Sequence, residues 1–243
     1  IVDPLMGADG WTFGDGPGCI PDTVNGATYL HQIYTLAKRD YTGRVTVPVL
    51  WDKAKKTIVN NESSEIIRML NSEFDAFGDA SLDFYPADLR ADIDALNAVV
   101  YARVNNGVYR CGFATRQDAY EEAFAELFET LGMLELRLAR SRYLFGDRVT
   151  EADWRLFTTL VRFDAVYFGH FKCNQRRIAD HANLSGYLRD LYQSPGVAET
   201  VSFAHIKRHY YASHKTINPT GIVPVGPAQD LGLPHHRGSV GGA

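Results

Sequence analysis

Two short pieces of this sequence carry residue types that could do chemistry together: Val47-Pro48, and Glu62-Ser63 further on. Residues 45–51 are rich in β-branched and apolar side chains, as a buried strand should be. A proline inside such a strand removes a ladder donor and belongs at an edge, a strand start or a special site. One reading of Pro48 is a trans proline on an edge strand. The other is a cis peptide that turns the Val47 backbone outward, free to pair with an extended ligand. The residues downstream favour the second. Glu62 and Ser63 open a helix, where free backbone N–H groups and the positive dipole end favour a carboxylate. The plain alternative for this pair is helix capping. Backbone pairing beside carboxylate capture is a peptide-binding arrangement, and it suits a short anionic peptide such as glutathione.

The elements that must position these residues can be read from periodicity. Residues 45–51 and 57–59 read as a hairpin delivered onto a helix that carries Ile66, Leu70 and Phe74 on one face. Upstream, residues 4–18 are a Gly-, Asp- and Pro-rich loop containing Trp11, and residues 26–38 are predicted helical with Tyr29, Ile33 and Leu36 aligned. Residues 77–86 mix Gly, Asp and Ser and read as a linker. Beyond it the pattern is wholly helical. Leu89, Ile93, Leu96, Val100 and Val104 form one stripe, predicted to end at Asn105-Asn-Gly107. Thr115 and Asp118 are placed to cap the next helix, whose Tyr120, Phe124, Leu127, Leu131, Leu134 and Leu138 make a core stripe. Thr150 as N-cap with Asp153 at N3 is a variant capping box, with Val149 and Trp154 as its hydrophobic staple. Two further helices are predicted over residues 184–192 and 197–211. The Pro- and Gly-rich tail after His214 is expected to wrap the surface, its last ten residues disordered.

Composition sets the outer limits. A chain of 243 residues with 45% hydrophobic content can bury a substantial core. A net charge of −4 gives no global basic field, so nucleic acid is not an expected partner. No run approaches the ~18 apolar residues of a membrane span. Three widely spaced cysteines, Cys19, Cys111 and Cys173, form neither a disulfide framework nor a zinc site. A reducing, cytoplasmic compartment and no metal are expected.

Val-Pro followed by Glu-Ser at a helix start resembles the glutathione site of the thioredoxin-like domain in glutathione transferases. Longer strings are similar to one branch: Pro4-Leu-Met-Gly-Ala-Asp-Gly-Trp-Thr-Phe13, Asn105-Asn-Gly-Val-Tyr109, Thr159-Leu-Val-Arg-Phe-Asp164, His170-Phe-Lys-Cys173 and Ser213-His-Lys-Thr-Ile-Asn-Pro-Thr220. Together they resemble the glutathionyl-hydroquinone reductases, the Xi class, over residues 1 to about 230. The resemblance implies an α+β thioredoxin-like N-terminal domain, here without its first strand and helix, followed by an all-α glutathione-transferase domain. The corresponding divisions are residues 1–76, a linker at 77–85, a helical domain at 86–212 and an extension at 213–243. It also implies a homodimer.

For the site, the resemblance implies glutathione contacts at Trp11, Arg44, Val47 (through its backbone), Pro48, Glu62 and Ser63. Trp11 would lie over the glutathione cysteine and donate its indole N–H, Glu62 would take the ligand's amino group, and Ser63 its γ-glutamyl carboxylate. Tyr109, Tyr167 and Tyr210 match three tyrosines that line the hydroquinone side. The implied activity is reduction of glutathionyl-hydroquinones by glutathione, through a cysteine–glutathione mixed disulfide. The family carries that cysteine in a Cys-Pro-Trp-Ala-type motif at a helix N-terminus, and it is expected upstream of Ile1. Cys19, in Gly-Cys-Ile-Pro, has no tryptophan after its proline, so the three cysteines present read as ordinary thiols. By themselves residues 1–243 are expected to be inactive. Two other readings stand: a non-catalytic glutathione-transferase-like scaffold used for binding or dimerisation, and a different thiol transferase such as a dehydroascorbate reductase.

Overall fold

The computed structural model describes residues 1–240. Leu30, Ile33 and Tyr34, all from helix α1 (Leu30–Ala37), centre the smaller of two cores, with Trp11, Phe13, Val45, Val49, Trp51 and Ile58 packed around them. The helix starts later than residue 26 because the Asp22 carboxylate accepts from the amides of Val24, Asn25 and Ala27 and holds them in a turn. Tyr34 rather than Leu36 completes the buried face, and Leu36 is 51% exposed.

Residues 45–49 do not form the predicted strand. A strand exists through its partner's hydrogen bonds, and among the described residues, isolated bridges apart, the paired strands are β1 (Leu50–Asp52) and β2 (Thr57–Asn60), antiparallel, with Trp51 opposite Ile58. The hairpin is therefore shorter than its hydrophobic pattern. The Val47–Pro48 peptide is cis. Helix α2 (Ser63–Ser72) starts where the sequence predicts, with Glu62 in the N-cap position. Ile66 alone of its predicted face is buried; Leu70 and Phe74 line an open apolar cleft with Phe84 and Trp154.

The larger core belongs to the helical region. Helix α3 (Arg90–Val100) passes through a π-helical turn, Tyr101–Asn105, into α4 (Gly107–Gly112). The predicted stop at residues 105–107 is a change of helical pitch instead, and Val104 and Val108 on either side are both fully buried. Helix α5 (Gln117–Leu138) supplies Leu127, Leu131, Leu134 and Leu138 to this core. Its N-cap is Arg116 rather than Thr115, and Asp118 pairs with the Arg116 guanidinium.

Helix α6 (Glu151–Arg162) is buried along its inner face, and Thr150 and Asp153 open it as predicted. The Asp153 carboxylate does most of the holding. It accepts from the Thr150 amide at 2.8 Å, the Thr150 hydroxyl at 3.0 Å, the Leu144 amide at 3.0 Å and the Tyr187 hydroxyl at 2.8 Å. A second π-helical turn, Phe163–Tyr167, extends α6 and turns Tyr167 inward. Helix α7 (Ala182–Tyr192) packs on α5, and α8 (Phe203–Ser213) on the Phe163–Tyr167 turn. The helix predicted over 197–211 starts at Phe203, because Ser202 caps it there by accepting from the His205 amide, while Ala198–Thr200 forms only a 3₁₀ turn.

The tail has no regular structure, as expected, but its end is anchored rather than disordered through residue 240. Arg237 is 2% exposed, and its guanidinium donates to the carbonyls of Leu138, Ser141 and Arg142 at 2.8, 2.5 and 2.9 Å. One arginine held by three carbonyl acceptors in a buried notch leaves no mark on composition, which is why the tail's polar make-up misleads. The final three residues of the predicted disordered stretch lie outside the described residues. Among the described residues no helix is long and apolar enough to cross a membrane.

Candidate functional site

Tyr34 ties the two implied glutathione segments together. Its hydroxyl donates to the Thr46 carbonyl at 2.7 Å and accepts from the Asn61 side-chain amide at 3.1 Å. Thr46 precedes Val47 and Asn61 precedes Glu62, so one buried phenol sets the distance between the cis Val47–Pro48 turn and the start of α2. The Val47 amide and carbonyl have no protein partner among the described residues, and the residue is 43% exposed. Glu62 and Ser63 are at the helix start, where the Glu62 amide donates to the Asn60 side chain and the Ser63 and Ser64 amides have no protein acceptor among the described residues. An outward-facing backbone pair and a helix N-terminus therefore lie side by side. These groups fit a short anionic peptide: a donor and an acceptor for its backbone, free amides for a carboxylate, and a carboxylate for its amino group.

Trp11 borders the same small core, its carbonyl accepting from the Leu30 amide at 2.9 Å. One face of its indole is covered by His209 of α8, with ring centroids 4.8 Å apart and planes 22° apart. Arg44 stands apart. Its side chain is exposed, and the structure ties down only its carbonyl, which accepts from the Tyr41 hydroxyl at 2.6 Å.

The three tyrosines, far apart in sequence, converge. The Tyr210 hydroxyl lies 2.5 Å from that of Tyr109 and 2.8 Å from that of Tyr167. Each comes from a different segment: α4, the π-helical turn after α6, and α8. Phe171 backs the group, stacked on Tyr167 at 5.4 Å, and Gly112 leaves the room: a Cβ there would stand 2.2 Å from the Phe171 ring. Tyr167 and Tyr210 are buried at 2% and 5% exposure, whereas Tyr109 is 36% exposed. Burial, with the neighbouring phenols adding to it, pushes the Tyr167 and Tyr210 hydroxyls well above the usual tyrosine range. Both stay protonated at neutral pH. Each hydroxyl both donates and accepts, so Tyr210, backed by Tyr167, can hydrogen-bond the Tyr109 oxygen before and after Tyr109 gives up a proton to whatever meets it.

The histidines around the tyrosines were not singled out by sequence. His209 stands edge-on to Tyr210 at 5.0 Å, and His214 edge-on to the same ring at 5.4 Å. His170 and His214 share a ring-nitrogen contact of 3.3 Å, and burial pushes both down to about 4. Tyr34 and His209 have helical spacing toward a core, which hides a polar role. For His170 and His214 the available signal was their place in the strings His170-Phe-Lys-Cys173 and Ser213-His214-Lys215.

None of the three cysteines suits an exposed, activated thiolate. Cys111 and Cys173 are buried at 2% and 0% exposure. Hydrogen bonding with Cys111, then burial, pushes the Cys173 thiol up. Cys19 is half-buried in the loop beside Gly16, with no helix start to stabilise a thiolate. Among the described residues no cluster of His, Cys, Asp or Glu could hold a metal ion.

Comparison with known proteins gives this arrangement its context. Residues 6–73 match the glutathione S-transferase N-terminal domain model, and residues 117–190 the glutathione S-transferase C-terminal domain model. The chain is 60% identical to the glutathionyl-hydroquinone reductase PcpF of Sphingobium chlorophenolicum, over 95% of this chain and 74% of that protein. It is 58% identical to the glutathionyl-hydroquinone reductase YqjG of Escherichia coli, over 98% of this chain and 73% of that protein. The glutathione-bound structure of YqjG superposes with a TM-score of 0.96 over 98% of this chain and 77% of that chain, at 58% identity. A Xi-class glutathione transferase from Natrialba magadii superposes with a TM-score of 0.95, at 52% identity over 97% of this chain and 72% of that chain. A thioredoxin-like domain followed by a helical domain, carried by this sequence, is a glutathione transferase architecture, and the chain belongs to the Xi class of that family.

Proposed function

We propose that the protein reduces glutathionyl-hydroquinones to hydroquinones with glutathione as co-substrate. The observation that carries this reading is the shared hydroxyl cluster of Tyr109, Tyr210 and Tyr167. The peptide part of the substrate sits on Trp11, Val47, Pro48, Glu62 and Ser63, with Arg44 at the rim. Its aromatic ring meets Tyr109. A cysteine thiolate carried outside residues 1–243 attacks the thioether sulfur, the carbon–sulfur bond breaks, and its electron pair stays on the ring carbon. Tyr109 delivers the proton to that carbon while its oxygen is held by the Tyr210 hydroxyl, itself bonded to Tyr167, and Tyr109, at the exposed end of the cluster, regains a proton from solvent. A second glutathione then attacks the mixed disulfide, releasing glutathione disulfide and the enzyme thiolate. Tyr210 and Tyr167, held protonated by burial, support this role as hydrogen-bond donors: Tyr210 donates to the Tyr109 oxygen as its proton leaves, and Tyr167 backs Tyr210.

The division into residues 1–76, 77–85, 86–212 and 213–243, a homodimer and a cytoplasmic setting belong to the same proposal. The test is product analysis on the full-length protein with a glutathionyl-hydroquinone and glutathione. Equal amounts of hydroquinone and glutathione disulfide are expected, and the Tyr109→Phe/Tyr210→Phe double variant should lose that release while still binding glutathione. Undiminished release from the double variant would rule the reading out. Intact mass and N-terminal sequencing of the natural protein test the nucleophile: a Cys-Pro segment before Ile1 is expected, and substituting its cysteine should abolish turnover.

A further inference from the structure

Helix α8 grips the loop that carries Trp11 at four points along one face. The His205 ring nitrogen Nε2 lies 2.6 Å from the Pro17 carbonyl, and His209 Nδ1 lies 2.9 Å from the Pro4 carbonyl. The Arg208 guanidinium faces the Asp3 carboxylate at 3.8 Å, and the Ser213 hydroxyl accepts from the Met6 amide at 3.0 Å. Gly18 belongs to the same contact, since a Cβ there would stand 2.7 Å from the His205 ring. The loop is therefore held from two sides, by local bonds such as Asp3 N–H to the Thr12 carbonyl and by the far end of the chain.

His209 is the member of this row that reaches the site. A carbonyl only accepts, so the Nδ1 nitrogen carries the proton and the imidazole is fixed in one tautomer. That bond sets the ring plane, and the ring plane is the surface on which the Trp11 indole lies, 4.8 Å away and tilted by 22°. The other edge of the imidazole meets Tyr210 at 5.0 Å. Burial holds His209 below the usual histidine range, so the stacked ring is neutral. We infer that His209 is a positioning residue: locked by the Pro4 carbonyl, it fixes the Trp11 indole and so couples the glutathione side of the site to the tyrosine cluster. The inference rests on the reading that Trp11 contacts glutathione.

The mechanism is rigidity. An indole with an unrestrained χ2 must lose that freedom when a ligand docks on it, which weakens binding. With His209 behind it the indole is ordered before the ligand arrives. Phenylalanine at this position keeps an aromatic face for the indole and loses the bond to Pro4; alanine loses both.

The experiment is calorimetric titration of the full-length protein with glutathione, with steady-state kinetics on a glutathionyl-hydroquinone alongside. His209→Ala is expected to raise the Kd for glutathione about tenfold and KM in parallel, with kcat changed less than about twofold. His209→Phe should recover most of the loss, which a general folding role would not predict. Trp11→Ala separates the two ideas. If Trp11→Ala weakens glutathione binding and His209→Ala does not, the positioning role is overturned while the Trp11 contact stands. If Trp11→Ala leaves binding unchanged, Trp11 is not a glutathione contact and the inference falls with that reading. Should His209→Ala fail to fold, the comparison of wild type with His209→Phe decides: equal kcat with Kd and KM raised about two- to threefold supports the role, and an unchanged Kd, or a fall in kcat at unchanged KM, overturns it.

Discussion

Tyr167 and Tyr210 meet edge to face, their ring planes 86° apart and their hydroxyl oxygens 2.8 Å apart. Tyr210 is at once 2.5 Å from the Tyr109 hydroxyl, so three phenols share two hydrogen bonds and act as one unit. Tyr109→Phe and Tyr210→Phe should each lower kcat on a glutathionyl-hydroquinone by about 10²-fold or more, the usual scale of a lost acid–base group. Because the groups are serial, the double variant should fall little below the worse single variant. Steady-state kinetics over the double-mutant cycle checks this, and fully additive losses would mean that the hydroxyls work separately.

Asp153 should matter more to folding than the threonine it caps with. Thr150→Ala removes one hydroxyl and is expected to cost about 0.5–2 kcal/mol. Asp153→Ala strands the Leu144 and Thr150 amides and the Tyr187 and Thr150 hydroxyls in a site with 0% exposure at Asp153. Roughly 3 kcal/mol or more should be lost, on the scale of unsatisfied buried donors. Urea unfolding at unchanged m-value measures the difference.

The His170–His214 pair makes stability depend on pH. Burial first, then Lys172 for His170 and His209 for His214, pushes both down to about 4. In the unfolded chain a histidine titrates near 6.5. Between these values the unfolded state binds more protons, so the pair's contribution is complete above about pH 6.5 and is lost as pH falls toward 4, at ~1.4 kcal/mol per unit of difference per histidine. Asp153 and Asp164, raised by desolvation, oppose this trend. The comparison is therefore made between wild type and His170→Asn/His214→Asn: the slope of unfolding free energy between pH 7 and 4.5 should flatten in the double variant.

Arg237 clamps the end of α5 from the tail, with its guanidinium on three carbonyls and its aliphatic stem against Gly186. Arg237→Ala should cost about 1.5–3 kcal/mol, the scale of charge-assisted hydrogen bonds. Hydrogen exchange should quicken first at the tail and around residues 138–142. An unchanged thermal midpoint would show that the clamp is not stabilising.

Local chemistry along the chain was enough to determine much of this protein. Helical period located the α3 and α5 core faces, because Ile93, Leu96 and Val100 in one and Leu127, Leu131 and Leu134 in the other recur where a helix must be covered. Thr150 and Asp153 marked the start of α6, because capping is decided within one turn. Val47-Pro48 and Glu62-Ser63 pointed to peptide capture, because a cis turn and a helix start are short-range features. Other matters were left to the tertiary structure. Residues 45–49 have strand composition but no strand partner, Leu70 and Phe74 have helical spacing but no core beneath them, and Arg237 has a polar neighbourhood in sequence but a buried notch in space. The convergence of Tyr109, Tyr167 and Tyr210, and the seat that His209 makes for Trp11, depend on π-helical turns and on α8 reaching back to the first residues. Pattern reports which face of an element is apolar; only packing decides what that face meets, because the partner is set by contacts between segments far apart in the chain.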